Sequence, residues 1–131
     1  MKIIILIALS IILCSSGCES LVDHVYSIKI QNNSKYNVQF YESYNFPDTT
    51  IDVTKPRLKM VYASKYSYLD SKKDWDEVLV SPKDTISIFI LSKDTLDKYD
   101  WAKIRSDYNI LKRYDLSIAD LQRMNWTLTY P

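Results

Sequence analysis

The sequence predicts an α+β fold: a mostly antiparallel β-sheet or open sandwich of about five strands, with two or three short helices mainly in the C-terminal half. Three observations predict it. Several short segments alternate apolar and polar residues with the period of a strand, the most apolar being Thr85 to Ser92. Asn, Asp, Ser and Pro, the turn formers, separate these segments. Beyond Ser92, apolar residues recur at helical spacing behind residues suited to helix caps.

The first strand runs from Tyr26 to Gln31, with Tyr26, Ile28 and Ile30 on one face and Ser27, Lys29 and Gln31 on the other. Asn32 to Lys35 is a turn whose asparagines tolerate left-handed backbone. Tyr36 to Tyr44 resumes the alternation with Tyr36, Val38 and Phe40 inward, so the two segments read as an antiparallel hairpin. Pro47 and Pro56 bracket an exposed connection. Leu58, Met60 and Tyr62 mark a third strand, and a polar stretch without clear periodicity follows. Asp74 then caps a short helix with Trp75, Val78 and Leu79 on its apolar face, ended by Pro82. In Thr85 to Ser92, Ile86, Ile88 and Ile90 fill one face while Phe89 and Leu91 occupy the other, which predicts burial on both sides and a central place in the sheet. Asp100 caps a helix carrying Trp101, Ile104 and Tyr108, and Ser117 with Asp120 caps another carrying Ile118, Leu121 and Met124. Asn125 is a left-handed stop, and Trp126, Leu128 and Tyr130 share one face of a closing strand.

The start of the chain has a different character. After Lys2, residues Ile3 to Leu13 are apolar except for Ser10, the length of a secretory signal core and well short of the roughly 20 residues that span a bilayer. Small residues Ser15, Ser16 and Gly17 precede Cys18. This segment resembles the bacterial lipoprotein signal, whose lipobox ends in a small residue followed by the cysteine that becomes the lipidated N-terminus. The resemblance implies a signal peptide over residues 1–17, lipid attachment (palmitate among the chains) at Cys18, a tether over 18–24 and a single globular domain over 25–131. It also implies a membrane partner through the N-terminal lipid and a place in the bacterial cell envelope, at the outer membrane. Ser15 stands where the pattern has Leu or another aliphatic residue, so ordinary cleavage after Gly17, releasing a soluble protein with a free Cys18, is the alternative. Leu13 is too bulky to precede a cut at Cys14, which therefore leaves with the signal. With Cys14 discarded and Cys18 lipidated, neither a disulfide nor a thiolate metal site is expected.

A second resemblance lies at the other end. Residues 93 to 131, from KDTLDKYDWAK to NWTLTYP, are similar to the ending of a group of small lipoproteins of the Bacteroidota. That similarity implies an envelope location and no particular reaction. In such a setting Asp followed by Thr and a small aliphatic residue or Thr is an O-glycosylation pattern, which points to Thr49, Thr85 and Thr95, Thr49 being favoured because Pro47 argues for exposure. The ordinary reading is that Asp-Thr is what turns and strand starts are made of. Asn32-Asn33-Ser34 also fits the N-glycosylation acceptor, a match with little weight in a bacterial protein.

Composition excludes several function classes. The chain has 17 basic and 16 acidic residues, and losing Lys2 with the signal makes them equal, so nothing electrostatic points to nucleic acid. Its one glycine is Gly17, so the domain lacks the residue on which phosphate-cradling loops and nucleophile elbows depend. Its one histidine, His24, lies in the tether, where nothing holds a general base against a target. No catalytic site, metal site or cofactor is expected. Carboxylates are plentiful, which leaves a small carboxylate-dependent glycan hydrolase as the alternative. Yet Asp74, Asp76, Glu77, Asp94, Asp97 and Asp100 sit where helix N-termini favour negative charge.

Aromatic residues are the one abundant feature that suits recognition: eleven Tyr, three Phe and three Trp, all beyond Cys18. Tyr41 and Tyr44 are expected on or near an exposed strand face, and Tyr66 and Tyr68 lie in a polar stretch. Exposed tyrosines stack on sugars and anchor protein interfaces, although aromatics are also ordinary strand formers. The sequence therefore reads as an envelope lipoprotein with a non-enzymatic binding role toward a protein or glycan partner. A structural subunit of an outer-membrane complex is a further alternative. A flat tyrosine-lined patch would favour binding; two carboxyls facing each other across a cleft at roughly 5–9 Å would favour the hydrolase.

Overall fold

The computed structural model describes residues 23–81 and 83–131. The expected signal peptide over residues 1–17, the expected lipid attachment at Cys18 and the expected helix stop at Pro82 lie outside the described residues.

Among the described residues seven strands and four short helices follow one another: β1 (Tyr26–Asn32), β2 (Val38–Ser43), β3 (Lys59–Val61), β4 (Tyr66–Ser71), α1 (Trp75–Val78), β5 (Thr85–Ser92), α2 (Lys93–Lys98), α3 (Trp101–Ser106), β6 (Lys112–Ser117), α4 (Ile118–Arg123) and β7 (Thr127–Tyr130). The α+β class and the C-terminal bias of the helices agree with the sequence reading. The strands form a three-stranded sheet in the order β4-β1-β7 and a four-stranded sheet in the order β3-β2-β5-β6. All pairings are antiparallel except that of β1 with β7.

One core fills the space between the sheets. Ile28 and Ile30 of β1, Leu69 of β4 and Leu128 of β7 meet Val38, Phe40, Val61, Ile86, Ile88, Ile90 and Leu116 of the other sheet, with Trp75, Leu79 and Leu121 closing the ends. Each such side chain contributes about 1.5–3 kcal/mol relative to leaving it in water. A second core covers the outer face of the four-stranded sheet, where Tyr41, Phe89 and Leu91 pack against Ile51 of the 44–58 connection and Ile104 of α3. The Trp101 indole N–H donates to the Asp52 carbonyl at 2.9 Å and Arg105 Nε to the Ile51 carbonyl at 3.2 Å, fastening that connection to α3. β5 thus lies between two buried layers, as its two apolar faces predict.

The expected hairpin between the first two strands does not form. β1 pairs with β4 and β7, whereas β2 pairs with β3 and β5, so residues 32–38 carry the chain from one sheet to the other. Asn32 causes the crossing, and it does so through its side chain, since its backbone is not left-handed. Fully buried, it donates from Nδ2 to the carbonyls of Tyr36, Val61 and Tyr62 at 2.8, 3.2 and 3.2 Å. Its Oδ1 accepts from the Ser34 amide and hydroxyl at 3.0 and 2.7 Å. That arrangement leaves no amide hydrogen for a glycan, and it turns Tyr36 outward, 70% exposed where the alternation predicts it inward.

Other corrections have equally local causes. In β3 the buried residue is Val61, and Tyr62 is exposed, because Leu58 turns to the second core. Tyr41 lies on the face opposite Phe40 as alternation requires, but that face is covered and Tyr41 is fully buried. β4 and β6 stand where no strand is expected; each buries a single residue, Leu69 and Leu116. Asp97 is not at a helix N-terminus: it belongs to the later turn of α2 and pairs with Lys93.

The caps agree with the sequence. Asp74 accepts from the Asp76 amide and Asp100 from the Lys103 amide, and Ser117 and Asp120 form a reciprocal capping box. With no glycine available, other residues take left-handed backbone: Tyr108 (φ 51°) ends α3 instead of lying on its apolar face, and Asn125 (φ 50°) with Trp126 (φ 55°) ends α4. The hydroxyl of Ser117, its backbone N–H and Arg123 hold the Asp120 carboxyl below its ordinary value of 3.8. A depressed carboxyl stabilises the fold above that ordinary value and loses the contribution as pH falls through the folded value. Asp120→Asn is therefore expected to flatten the dependence of the urea midpoint on pH below 3.8. Slopes that match between variant and wild type would contradict this account.

Candidate functional site

The three-stranded sheet buries one face and leaves the other in water. Register aligns the outward residues in rows: Tyr66 of β4 beside Gln31 of β1 and Thr129 of β7, then Tyr68 beside Lys29 and Thr127, then Asp70 beside Ser27. Along β1 these rows extend over roughly 13 Å at about 3.3 Å per residue. Tyr66 and Tyr68 are 53% and 45% exposed, so the expectation that they lie open to solvent holds. Their rings meet edge to face at 5.4 Å, and Lys29 Nζ lies 4.4 Å from the centre of the Tyr66 ring. Such contacts fix the rings at low entropic cost while leaving much of their surface free. Among the described residues nothing covers this face.

At the Ser27 end of the face is a cavity of about 300 Å³ lined by Tyr26, Ser27, Asp74, Trp75, Asp76 and Trp126. Three separate segments supply it. Tyr26 and Ser27 begin β1, Asp74 to Asp76 form the capped start of α1, and Trp126 follows the left-handed stop of α4. The Trp126 N–H donates to the Leu121 carbonyl and its carbonyl accepts from the Lys29 amide, both at 2.8 Å, so its backbone is tied to a helix and a strand at once. Ser27 Oγ donates to Asp70 at 2.6 Å, which joins the cavity rim to the last row of the face. Asp74 accepts the Asp76 amide through Oδ1 at 3.1 Å. Trp75 is 2% exposed, and its indole N–H has no acceptor among the described residues. His24 stands nearby in sequence, its ring edge-on to Tyr26 at 4.6 Å.

The remaining sequence-predicted residues lie elsewhere. Tyr41 stacks flat on Phe89 at 4.8 Å under Trp101, and burial pushes its hydroxyl pKa well up. It offers nothing to a ligand. Tyr44 is half-buried against the main core and is likewise raised by burial, with Glu42 adding to the shift. Thr49 is exposed in the 44–58 connection, in a turn where Asp48 Oδ1 accepts the Thr50 amide at 2.8 Å. Thr85 is half-buried at the start of β5 with its hydroxyl donated to Asp84, and Thr95 is half-buried inside α2. The structure brings none of these together with Tyr66 and Tyr68. The cavity residues escaped the sequence reading, although the Asp74 cap ahead of Trp75 marked one wall.

Two further cavities, of about 350 and 320 Å³, involve Tyr36, Asp94 and Tyr130 in one case and Asp115, Asp120 and Arg123 in the other. In the second, the acids are already engaged: Asp115 pairs with Arg113 at 2.7 Å and accepts from Ser87 at 2.6 Å, while Asp120 serves the capping box. Among the described residues no three His, Cys, Asp or Glu side chains converge as a metal site would require. No protein-family model matches the chain, and neither a curated protein nor a solved structure matches it at a significant level.

Proposed function

We propose that this chain is a lipid-anchored protein of the bacterial cell envelope whose domain binds a protein or glycan partner without catalysing a reaction. The observation that carries the binding role is the strand face bearing Tyr66, Tyr68 and Lys29, which nothing covers among the described residues. Two exposed aromatic rings beside a cation on a rigid sheet suit recognition, because strands hold side chains more firmly than loops do. The acids give less support to a hydrolase. The carboxyls of Asp48, Asp107 and Asp120 are held below the usual range, by the Thr50 amide, by Lys103 and by Ser117 respectively, whereas a glycosidase acid is raised.

The anchor rests on Gly17 and Cys18. Radiolabelled palmitate is expected in the wild type and not in Cys18→Ala, and equal labelling would sink that part of the proposal. Glycosylation at Thr49 would add mass to the exported chain that Thr49→Ala removes; peptide plus lipid alone would exclude it. Binding is tested by a photo-crosslinking amino acid at position 68 in growing cells. A heavier adduct is expected from 68 and not from the more exposed position 62, with protease or periodate sensitivity identifying a protein or a glycan. Adducts from 62 with none from 68 would move the interface off this face.

A further inference from the structure

We propose that β6 is an assembly edge: it pairs antiparallel with β6 of a second copy, Arg113 opposite Asp115 of the other chain, giving a twofold dimer in which the two four-stranded sheets become one. The proposal stands apart from the binding role above and rests on the edges of the sheets. The Lys93 amide donates to the Asn37 carbonyl at 3.2 Å and the Leu111 amide to the Ile90 carbonyl at 2.8 Å. Odd-numbered residues of β5 therefore face β2 and even-numbered ones face β6. Lys112, Tyr114 and Leu116, opposite Ile90, Ile88 and Ile86, direct their backbone groups to β5. Those of Arg113 and Asp115 point away from the sheet and have no partner among the described residues.

The other three edges are blunted. β3 is three residues long, and on β4 the Lys59 ammonium lies 3.5 Å from the Tyr68 carbonyl. On β7 the outward Thr127 amide donates to the Met124 carbonyl and the Thr129 carbonyl accepts from the Tyr114 hydroxyl, both at 3.1 Å. On β6 the Ser117 amide is bonded to Asp120, so Arg113 and Asp115 are the open residues. An antiparallel copy uses both only when residue 113 faces residue 115 of the other chain, which makes two hydrogen-bonded pairs about a dyad at Tyr114. Charge selects the same register. The alternatives oppose Arg113 to Arg113 or Asp115 to Asp115, with like charges on side chains about 5 Å apart at Cβ. Pairing 113 with 115 instead sets each carboxylate beside the other chain's guanidinium. Arg113 Nε and Ser87 Oγ both donate to Asp115 Oδ1, so Oδ2 has no partner among the described residues, on a side chain 37% exposed. The two Tyr114 side chains meet at the dyad as an aromatic cross-strand pair. Because that dyad is perpendicular to the sheet, the Tyr66 and Tyr68 faces of both copies lie on one side, where a long partner meets both.

An edge of six residues is small beside the roughly 800 Å² per partner of a stable interface, so the pairing is weak in dilute solution and suits covalent trapping. The test is disulfide formation by the full chain under mild oxidation, with the wild type as control for its own cysteines. In Tyr114→Cys the two Cα atoms stand about 4.5 Å apart, within the range a disulfide bridges, and a covalent dimer is expected. Lys112 is more exposed than Tyr114 but lies about 13 Å from its counterpart, so Lys112→Cys should trap roughly tenfold more slowly. Added to Tyr114→Cys, Asp115→Asn should slow trapping roughly threefold and Asp115→Lys, which faces Arg113, roughly tenfold. The wild type gives a second reading free of substitutions. Amide exchange at Arg113 and Asp115 should slow several-fold as protein concentration rises toward the solubility limit, while the Tyr66 and Tyr68 amides do not change. No dimer from a folded Tyr114→Cys, equal trapping at 112 and 114, or exchange indifferent to concentration overturns the pairing. Trapping at 114 that ignores both Asp115 substitutions overturns the register and the proposal with it. If Tyr114→Cys does not fold, the exchange measurement decides alone.

Discussion

Replacing Asn32 with alanine is expected to cost the domain roughly 3–5 kcal/mol, a large part of the 5–15 kcal/mol that holds a domain of this size together. The side chain is fully buried and makes five hydrogen bonds, to Tyr36, Val61, Tyr62 and twice to Ser34. Deleting it takes the shared amide from three carbonyls and the acceptor from the Ser34 amide where the chain passes between the sheets, and only the Lys65 amide at the Tyr62 carbonyl and the Ser34 hydroxyl at the Tyr36 carbonyl remain nearby as donors. Asn32→Asp should fare no better, since it keeps the acceptor, loses the three donated bonds and puts a charge where there is no water. Urea denaturation measures both. A shift equivalent to less than about 1 kcal/mol for Asn32→Ala would mean that the crossing is held by the strands and not by the amide.

Phe89→Ala is expected to cost about 3–5 kcal/mol, and to spend most of that loss on one side of the molecule. Phe89 is the middle of a row across β2, β5 and β6, with Tyr41 stacked on it at 4.8 Å and the Arg113 guanidinium 5.3 Å from its ring centre. Removing the ring empties the floor of the second core, so Ile51, Trp101 and Ile104 lose the surface they cover. Native-state hydrogen exchange should show the Trp101 indole and the α3 amides opening much sooner, while the amides of β1 and β4 stay protected. Uniform loss of protection across both sheets would show that the two cores act as one unit.

What the sequence made legible follows from how many independent signals each element carried. β5 has apolar residues on both faces, so its burial and central place were readable without knowing its neighbours. The caps at Asp74, Asp100 and Ser117 were readable because capping is a local interaction between residues two or three apart. β4 and β6 were not, since Tyr-Ser-Tyr-Leu-Asp-Ser and Lys-Arg-Tyr-Asp-Leu-Ser each hold one buried aliphatic residue and owe their extended form to the strands beside them. The hairpin failed for a related reason. Asn32 looks like a turn residue, and the carbonyls that claim its amide come from residues 61 and 62, far along the chain. At the candidate site, Tyr66 and Tyr68 were readable as exposed residues in a polar stretch. The cavity was not, because Tyr26, Trp75 and Trp126 are neighbours only after β1 has met β7 and α1 has docked.

The parallel pairing of β1 with β7 also sets the order in which the domain can be completed. Lys29 and Asn33 donate to the Trp126 and Tyr130 carbonyls at 2.8 and 2.6 Å, joining the first strand to the last. Until β7 has been synthesised, β1 can be flanked only by β4, and one whole row of its backbone groups stays open to any other extended chain. The segment that closes the sheet is also the one that brings Trp126 to its place. Nascent chains lacking β7 should therefore be sticky, slow to fold on account of the long loop to be closed, and dependent on a holding chaperone. An incomplete molecule therefore carries an aggregation-prone edge and lacks the wall that Trp126 gives the cavity beside Ser27.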